Sequence, residues 1–150
     1  MSKKKNITIE NVIVTDAGAK GKSIAKAPDG RVIFINNAIP GDVVDVQTTK
    51  KKSAYYEGFA TKFHEYSNRR VTPVCTHFGY CGGCKWQNMN YESQLFYKQK
   101  EVENNLVRLG KITIPELMPI VASENIYFYR NKMEFSFSDM RWLTPEEIQN

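Results

Sequence analysis

The sequence predicts a mainly β protein: an N-terminal five-stranded barrel of the oligonucleotide-binding (OB) type, followed by a small α+β cysteine-cluster domain. Short apolar segments alternate with turn signals over residues 7–66, which favours a small closed barrel. A polar segment with a proline, residues 67–73, then interrupts this pattern. All three cysteines follow within the ten residues 75–84. These observations separate a β module from a segment organised around thiols.

The strands follow from alternation and from turn residues. Ile7 and Ile9 alternate with polar residues, which is typical of a strand with one buried face. The glycines of residues 16–22 predict a loop, and Pro28-Asp29-Gly30 is a hairpin signal. The first three strands are predicted over residues 7–14, 23–27 and 31–35. The fourth begins at residue 43 and ends within residues 50–53, and the fifth covers residues 55–66.

Positive charge is concentrated in the first half of the chain. Residues 1–70 hold thirteen Lys/Arg and seven Asp/Glu, although the net charge of the whole chain is only +5. A basic module indicates a polyanionic partner, and an OB barrel binds through the loops after its first and fourth strands. Those loops are predicted at Gly18–Ser23 and Lys50–Ala54. The candidate RNA-binding residues are these loop lysines, one adjacent tyrosine and two junction arginines: Lys20, Lys22, Lys50, Lys51, Lys52, Tyr55, Arg69 and Arg70. The alternative is that the lysines only keep the protein soluble and that Arg69 and Arg70 belong to a linker without a binding role.

A helix is predicted after the cysteines. Asn90 is a candidate N-cap for a helix that runs to about Leu109 and ends at Gly110. Its predicted buried stripe consists of Tyr91, Leu95, Val102, Leu106 and Leu109. Alternation at Met133, Phe135 and Phe137 predicts a later strand, and Thr144-Pro145 predicts a helix start so close to residue 150 that we expect a truncated chain. The predicted divisions are a basic tail over 1–5, the barrel over 6–68, the cysteine-cluster segment with its helix over 69–111, and the start of a central α+β domain over 112–150.

The pattern Cys75-x5-Cys81-x2-Cys84 has three interpretations. His77 could complete a Cys3His zinc knuckle. The thiolates could instead hold an iron–sulfur cluster with a fourth ligand outside this chain. A Cys81/Cys84 redox pair is the least favoured, since it lacks the βαβ context of such motifs. Trp86 is expected to pack over the metal site.

The sequence has no feature of a membrane protein. No apolar run is long enough for a span, and the basic start has no apolar region behind it. We therefore expect a cytoplasmic, monomeric protein with no membrane partner. Thiols stay reduced in the cytosol, which favours metal binding over a disulfide.

Several motifs in chain order resemble those of the RNA uracil-5-methyltransferases. They are Ile39-Pro-Gly-Asp-Val-Val44, the segment 67–73, Cys75 to Gln87 with its Cys-Gly-Gly-Cys, Tyr91-x2-Gln94-x3-Lys98, and Tyr129-Arg-Asn-Lys132. The resemblance implies an N-terminal TRAM domain, an OB-type barrel that binds RNA, and a domain with a [4Fe-4S] cluster. It also implies a C-terminal Rossmann-like domain that uses S-adenosylmethionine to methylate C5 of a uridine, with ribosomal RNA favoured over transfer RNA.

This chain departs from the family in one respect. Family members attack uracil with a cysteine and remove a proton with a glutamate, in a catalytic domain that has no counterpart here. No catalytic residue and no S-adenosylmethionine ligand are therefore assigned, and we expect this chain alone to be inactive. Cys75, Cys81 and Cys84 are the candidate cluster ligands. The alternative function is a free-standing RNA-binding OB module with a Cys3His zinc knuckle.

Overall fold

The structure is a computed structural model that divides into two compact units. It describes residues 7–129 together with 132, 134, 137–141, 143 and 147. One unit ends at Ile120 and contains the barrel, the cysteine segment and a helix; the other begins at Val121. The predicted features at Met133, Phe135 and Thr144-Pro145 lie outside the described residues. Within the described part of the chain, no helix combines the length and the apolar character that a membrane crossing requires.

The barrel has the five strands that the sequence predicts. They are β1 (Thr8–Ala17), β2 (Ser23–Lys26), β3 (Val32–Asn36), β4 (Val43–Lys51) and β5 (Tyr55–Glu65). Their order around the closed barrel is β1-β2-β3-β5-β4, and β1 also pairs with β4. β3 and β5 run parallel, whereas the other pairs are antiparallel. The predicted five-stranded barrel is confirmed.

β1 is longer than the alternation predicted. A bulge between Val14 and Asp16 shifts the register, after which Asp16 pairs with Ile24 and Ala17 with Ser23. Residues assigned to a loop are therefore in the sheet. Bulges of this kind bend the strand and increase its local twist. The connection that remains is short and contains a 3-10 turn, Ala19–Gly21.

The barrel interior is filled by apolar side chains from every strand. Ile33, Ile35, Val44 and Val46 have no exposed surface. Burying each such side chain contributes about 1.5–3 kcal/mol. Successive strand residues point to opposite faces, so inward Ile33 and Ile35 place Phe34 on the outside of the barrel. Gly58 lets β5 approach β4, since a Cβ there would lie 2.3 Å from the carbonyl oxygen of Gln47.

The predicted helix is present, but its buried stripe was wrong. Helix α1 spans Tyr91–Asn104 and continues as a π-helical turn to Leu109. Asn90 is the N-cap, because its Oδ1 accepts a hydrogen bond of 2.9 Å from the Ser93 N–H. The buried helix residues are Ser93 and Tyr97, whereas Leu109 of the predicted stripe is 79% exposed. The helix is buried only near its start.

A second apolar cluster attaches the start of α1 to the barrel. Its buried members are Ala17, Ile39, Met89 and Tyr97, and Trp86 packs against them. The sequence placed Trp86 over a metal site, whereas here it packs beside barrel residues. Two of the buried residues come from the barrel, so helix and barrel share this core.

Candidate nucleic-acid interface

The outer surface of β3 and β5 carries an aromatic pair. Phe34 and Tyr55 meet edge to face, with ring centroids 5.5 Å apart. Both rings are half-buried, while Phe59 further along β5 is 38% exposed. Tyr55 was a predicted site residue, but Phe34 was not. Alternation with Ile33 and Ile35 was the signal that could have identified it.

Two of the predicted lysines, Lys22 and Lys50, contact the same carboxylate beside this aromatic pair. It belongs to Glu57, which was not among the predicted site residues. Glu57 lies directly opposite Phe34 in the parallel register of β3 and β5. Its Oε2 lies 2.9 Å from the Nζ of Lys22 and 3.5 Å from the Nζ of Lys50. The Lys22 ammonium is also 6.0 Å from the centroid of the Phe34 ring. We call the surface formed by Lys22, Phe34, Lys50, Tyr55 and Glu57 the β3–β5 face.

The charge state of Glu57 follows from these contacts. The hydrogen bond from Lys22 is the main cause that holds the pKa of Glu57 below its ordinary value, and the charges of Lys22 and Lys50 act in the same direction. Partial burial opposes this shift. Glu57 is therefore a carboxylate at neutral pH and can only accept hydrogen bonds.

The other three predicted lysines are exposed around the face. Lys20 lies in the 3-10 turn after β1 with a positive φ of 60°. Lys51 is the last residue of β4, and Lys52 follows it. The loop predicted at 50–54 is thus shorter than expected, because Lys50 pairs with Glu57 and Lys51 pairs with Tyr56 of β5.

A polar network fixes the hairpin loop that contains Lys52. The Arg31 guanidinium donates to the Lys52 carbonyl oxygen at 3.1 Å and lies 4.1 Å from the centroid of the Tyr56 ring. It also bonds to Asp29, which accepts a second bond of 2.8 Å from the Tyr56 hydroxyl. The hydrogen bonds from Arg31 and then Tyr56 hold the pKa of Asp29 well below its usual value. Burial is the main reason that the pKa of Tyr56 is raised.

The junction arginines have partners within the protein. Arg70 forms two bonds to the buried Asp42, with Nε at 2.8 Å from Oδ1 and Nη2 at 2.7 Å from Oδ2. It also lies 5.2 Å from the centroid of the Tyr66 ring. The Arg69 guanidinium lies 6.0 Å from the ring of Tyr97. Their predicted contacts with RNA stay predictions, but Arg70 joins the barrel to the segment that follows it.

The three cysteines lie on one exposed loop. Cys75, Cys81 and Cys84 are free and exposed. Gln87 links both ends of the loop, since its Oε1 accepts a bond of 2.7 Å from the Cys75 N–H and its Nε2 lies 3.7 Å from the sulfur of Cys84. The Cys81 N–H donates to the carbonyl of His77 at 3.3 Å.

The thiols of this loop are of the right chemical type for a metal but do not form a metal-binding group. Thiolates suit zinc and iron–sulfur clusters. Among the described residues, however, no three or more His, Cys, Asp or Glu side chains are grouped so that they could hold a metal ion. The donor types therefore fit the predicted site, whereas the donor number falls short of four.

Comparison with known families identifies the barrel. Residues 3–61 match the model of the TRAM domain. The barrel is a TRAM domain. This match covers all of the strands β1 to β4 and much of β5, and therefore includes every residue of the β3–β5 face.

The similarity continues beyond the TRAM domain. The chain is 55% identical over 131 residues to an uncharacterized RNA methyltransferase of Bacteroides thetaiotaomicron, covering 87% of the chain and 29% of the relative. It is 41% identical over 143 residues to an uncharacterized RNA methyltransferase of Chlorobaculum tepidum, covering 95% and 30%. It is 36% identical over 131 residues to the 23S rRNA (uracil(1939)-C(5))-methyltransferase RlmD of Acidovorax sp., covering 84% and 27%. The chain thus spans less than a third of these relatives, and its resemblance to the RNA uracil-5-methyltransferases is confirmed.

Proposed function

We propose that this chain is the RNA-binding and iron–sulfur portion of an S-adenosylmethionine-dependent uracil-C5 methyltransferase that acts on 23S ribosomal RNA. The observation that carries the proposal is a TRAM domain within a chain that is similar, over most of its length, to proteins named RNA methyltransferase and RlmD. Methyl transfer itself is assigned to the remainder of such an enzyme. The described residues supply binding and positioning.

The β3–β5 face has the composition that single-stranded RNA requires. Aromatic rings such as Phe34 and Tyr55 offer surfaces on which unpaired bases stack. The ammonium groups of Lys20, Lys51 and Lys52 are exposed and can pair with phosphates without breaking an ion pair that holds the barrel together. RNA would therefore cross the face with its bases towards the rings and its backbone towards the lysines.

The cysteine loop is proposed to bind a [4Fe-4S] cluster. Cys75, Cys81 and Cys84 would provide three thiolates, and the fourth ligand would come from outside this chain. The cluster would supply strong iron–sulfur bonds that fix the conformation of an otherwise exposed loop. Gln87 is placed to donate a hydrogen bond to the Cys84 thiolate, an interaction that stabilises sulfur ligands in such sites.

RNA binding is tested by charge reversal of the three exposed lysines Lys20, Lys51 and Lys52 to glutamate. Affinity for single-stranded RNA should fall, and the slope of log K against log salt should decrease by about 0.7 per lost phosphate contact, hence by about 2. The matched control reverses three exposed lysines elsewhere: Lys62, Lys98 and Lys111. An equal loss in both variants would show that only net charge matters and would contradict this assignment.

The cluster is tested by metal and sulfide analysis of protein purified without oxygen. The chain alone should bind iron substoichiometrically, and an added segment with a fourth cysteine should raise the content towards four irons per chain. Cys81→Ser should abolish this gain. One tightly bound zinc without iron, lost in His77→Ala, would instead establish a Cys3His zinc knuckle and refute the cluster.

A further inference from the structure

The β3–β5 face contains one residue that phosphate binding does not explain. Glu57 places a carboxylate at the centre of a surface whose other charged members are Lys22 and Lys50. A carboxylate repels phosphate, so a surface built only for the RNA backbone would gain from its removal. A carboxylate beside aromatic rings is instead suited to hydrogen-bond donors on the edge of a stacked base.

The position of Glu57 brings its carboxylate to the edge of the aromatic pair. It is the direct neighbour of Phe34 across the parallel strands, and Tyr55 lies two residues before it on the same side of β5. Neighbouring strands are about 4.8 Å apart. A base stacked on either ring would therefore extend its edge towards this carboxylate.

The carboxylate still has an oxygen to offer. In the described part of the chain, Lys22 and Lys50 both contact Glu57 at Oε2, and the Glu57 side chain is 21% exposed. Oε1 makes neither contact, and Oε2 is closely engaged by Lys22 alone, so each oxygen can accept a bond from a ligand. The two ammonium groups lie beside Oε2, so the two acceptor oxygens of Glu57 are followed by donors at the same edge.

We propose that the β3–β5 face binds one unpaired guanine, stacked on the Phe34–Tyr55 pair, with its N1–H and N2–H groups donated to Glu57. This rests on the proposed function, since it names the base that the RNA-binding surface selects. The O6 of such a guanine adjoins N1–H and would accept a hydrogen bond from the ammonium of Lys22 or Lys50.

Guanine is the base whose edge matches this arrangement. Guanine presents two adjacent N–H donors, which a carboxylate accepts together. Uracil presents a single N–H between two carbonyl oxygens, and these would face the carboxylate unfavourably. Adenine and cytosine each pair one amino donor with a ring nitrogen acceptor, which would also be repelled. Loss of a matched pair of hydrogen bonds typically changes affinity about tenfold or more.

The test measures binding of the 150-residue chain to short oligouridylates whose central base is guanine, inosine, adenine, cytosine or uracil. Inosine keeps N1–H and lacks the amino group, so the expected order of affinity is guanine, then inosine, then uracil, with about tenfold between guanine and uracil. Glu57→Gln should remove this preference. Glu10→Gln, which removes one exposed carboxylate from β1, should keep it.

Each outcome decides the proposal. Equal affinity of the unaltered chain for all five oligonucleotides would overturn the guanine site and leave RNA binding intact. A guanine preference that survives Glu57→Gln, or an equal rise in affinity for every oligonucleotide, would show that Glu57 only restrains the lysines. Absence of binding to any of them would refute the proposed function together with this inference. Glu57→Asp withdraws the carboxylate by one methylene while keeping the charge, and should also weaken the preference.

Discussion

Replacing Asp42 with asparagine should destabilise the barrel more than neutralising any other charged side chain among the described barrel residues. The Asp42 side chain is fully buried. Its Oδ2 accepts bonds of 2.7 Å from both the Ile39 N–H and Arg70, and its Oδ1 accepts bonds from the Ser67 N–H at 2.9 Å and from Arg70 at 2.8 Å. Asparagine fills the same volume but replaces one acceptor oxygen with an NH2 group that faces donors.

The expected loss is about 3 kcal/mol of unfolding free energy. Breaking a buried ion pair on one side costs about 3–5 kcal/mol, because the remaining charge has lost its partner. Arg70 is 21% exposed, so water can partly solvate it after the substitution, which places the cost at the lower end. A backbone N–H that loses its acceptor adds about 1–3 kcal/mol in the same direction, although these losses are not additive.

Urea unfolding followed by circular dichroism measures this loss as a shift of the midpoint at constant slope. The matched control is Asp16→Asn, because Asp16 lies 2.7 Å from Lys100 but in a half-exposed pair. An exposed pair contributes about 0–1 kcal/mol, so this control should unfold nearly as the unaltered chain does. A loss below about 1 kcal/mol for Asp42→Asn, or equal losses for both variants, would refute the argument that burial makes this network essential.

Three further predictions concern local features. Since bonds from Arg31 hold the pKa of Asp29 low, the stability that they give is present above about pH 4 and is lost as the pH falls further. The unfolding free energy should therefore decrease less steeply below about pH 4 in Asp29→Asn than in the unaltered chain, as measured by urea unfolding at each pH. Gly58→Ala should cost about 3 kcal/mol through its clash with β4, against about 1 kcal/mol for Gly30→Ala, whose Cβ meets no atom within 4 Å; equal midpoints would contradict this. Asn90→Ala should cost about 1 kcal/mol and Asn90→Asp almost nothing, by urea unfolding, since aspartate keeps the capping acceptor.

The barrel could be predicted from the sequence because its signals are local. Pro28-Asp29-Gly30 marks a turn by itself, and the segments on both sides alternate with the period of a strand. The N-cap Asn90 was found for the same reason, since its bond reaches only to Ser93. Features that depend on a few consecutive residues were therefore confirmed.

Features that depend on distant contacts could not be predicted. The helical spacing of Val102 and Leu109 is real, yet these residues are 51% and 79% exposed, because the cluster at the barrel engages only the start of α1. Phe34 lies in the continuous apolar run 32–35, and the sheet shows that Ile33 and Ile35 point inward and Phe34 outward. Glu57 carried no local signal at all, since the lysines that meet it are distant in sequence or on another strand.

At Gly21, the loop that follows β1 lies directly against the cysteine loop. Its φ is +69°, and a Cβ there would lie 2.4 Å from the Cβ of Lys85. Lys85 directly follows Cys84, while Gly21 directly precedes Lys22 of the β3–β5 face. Glycine is required both by this backbone conformation and by this approach. On the proposed function, a barrel loop held against the cysteine segment presents RNA with one pre-arranged surface, which lowers the entropy lost on binding.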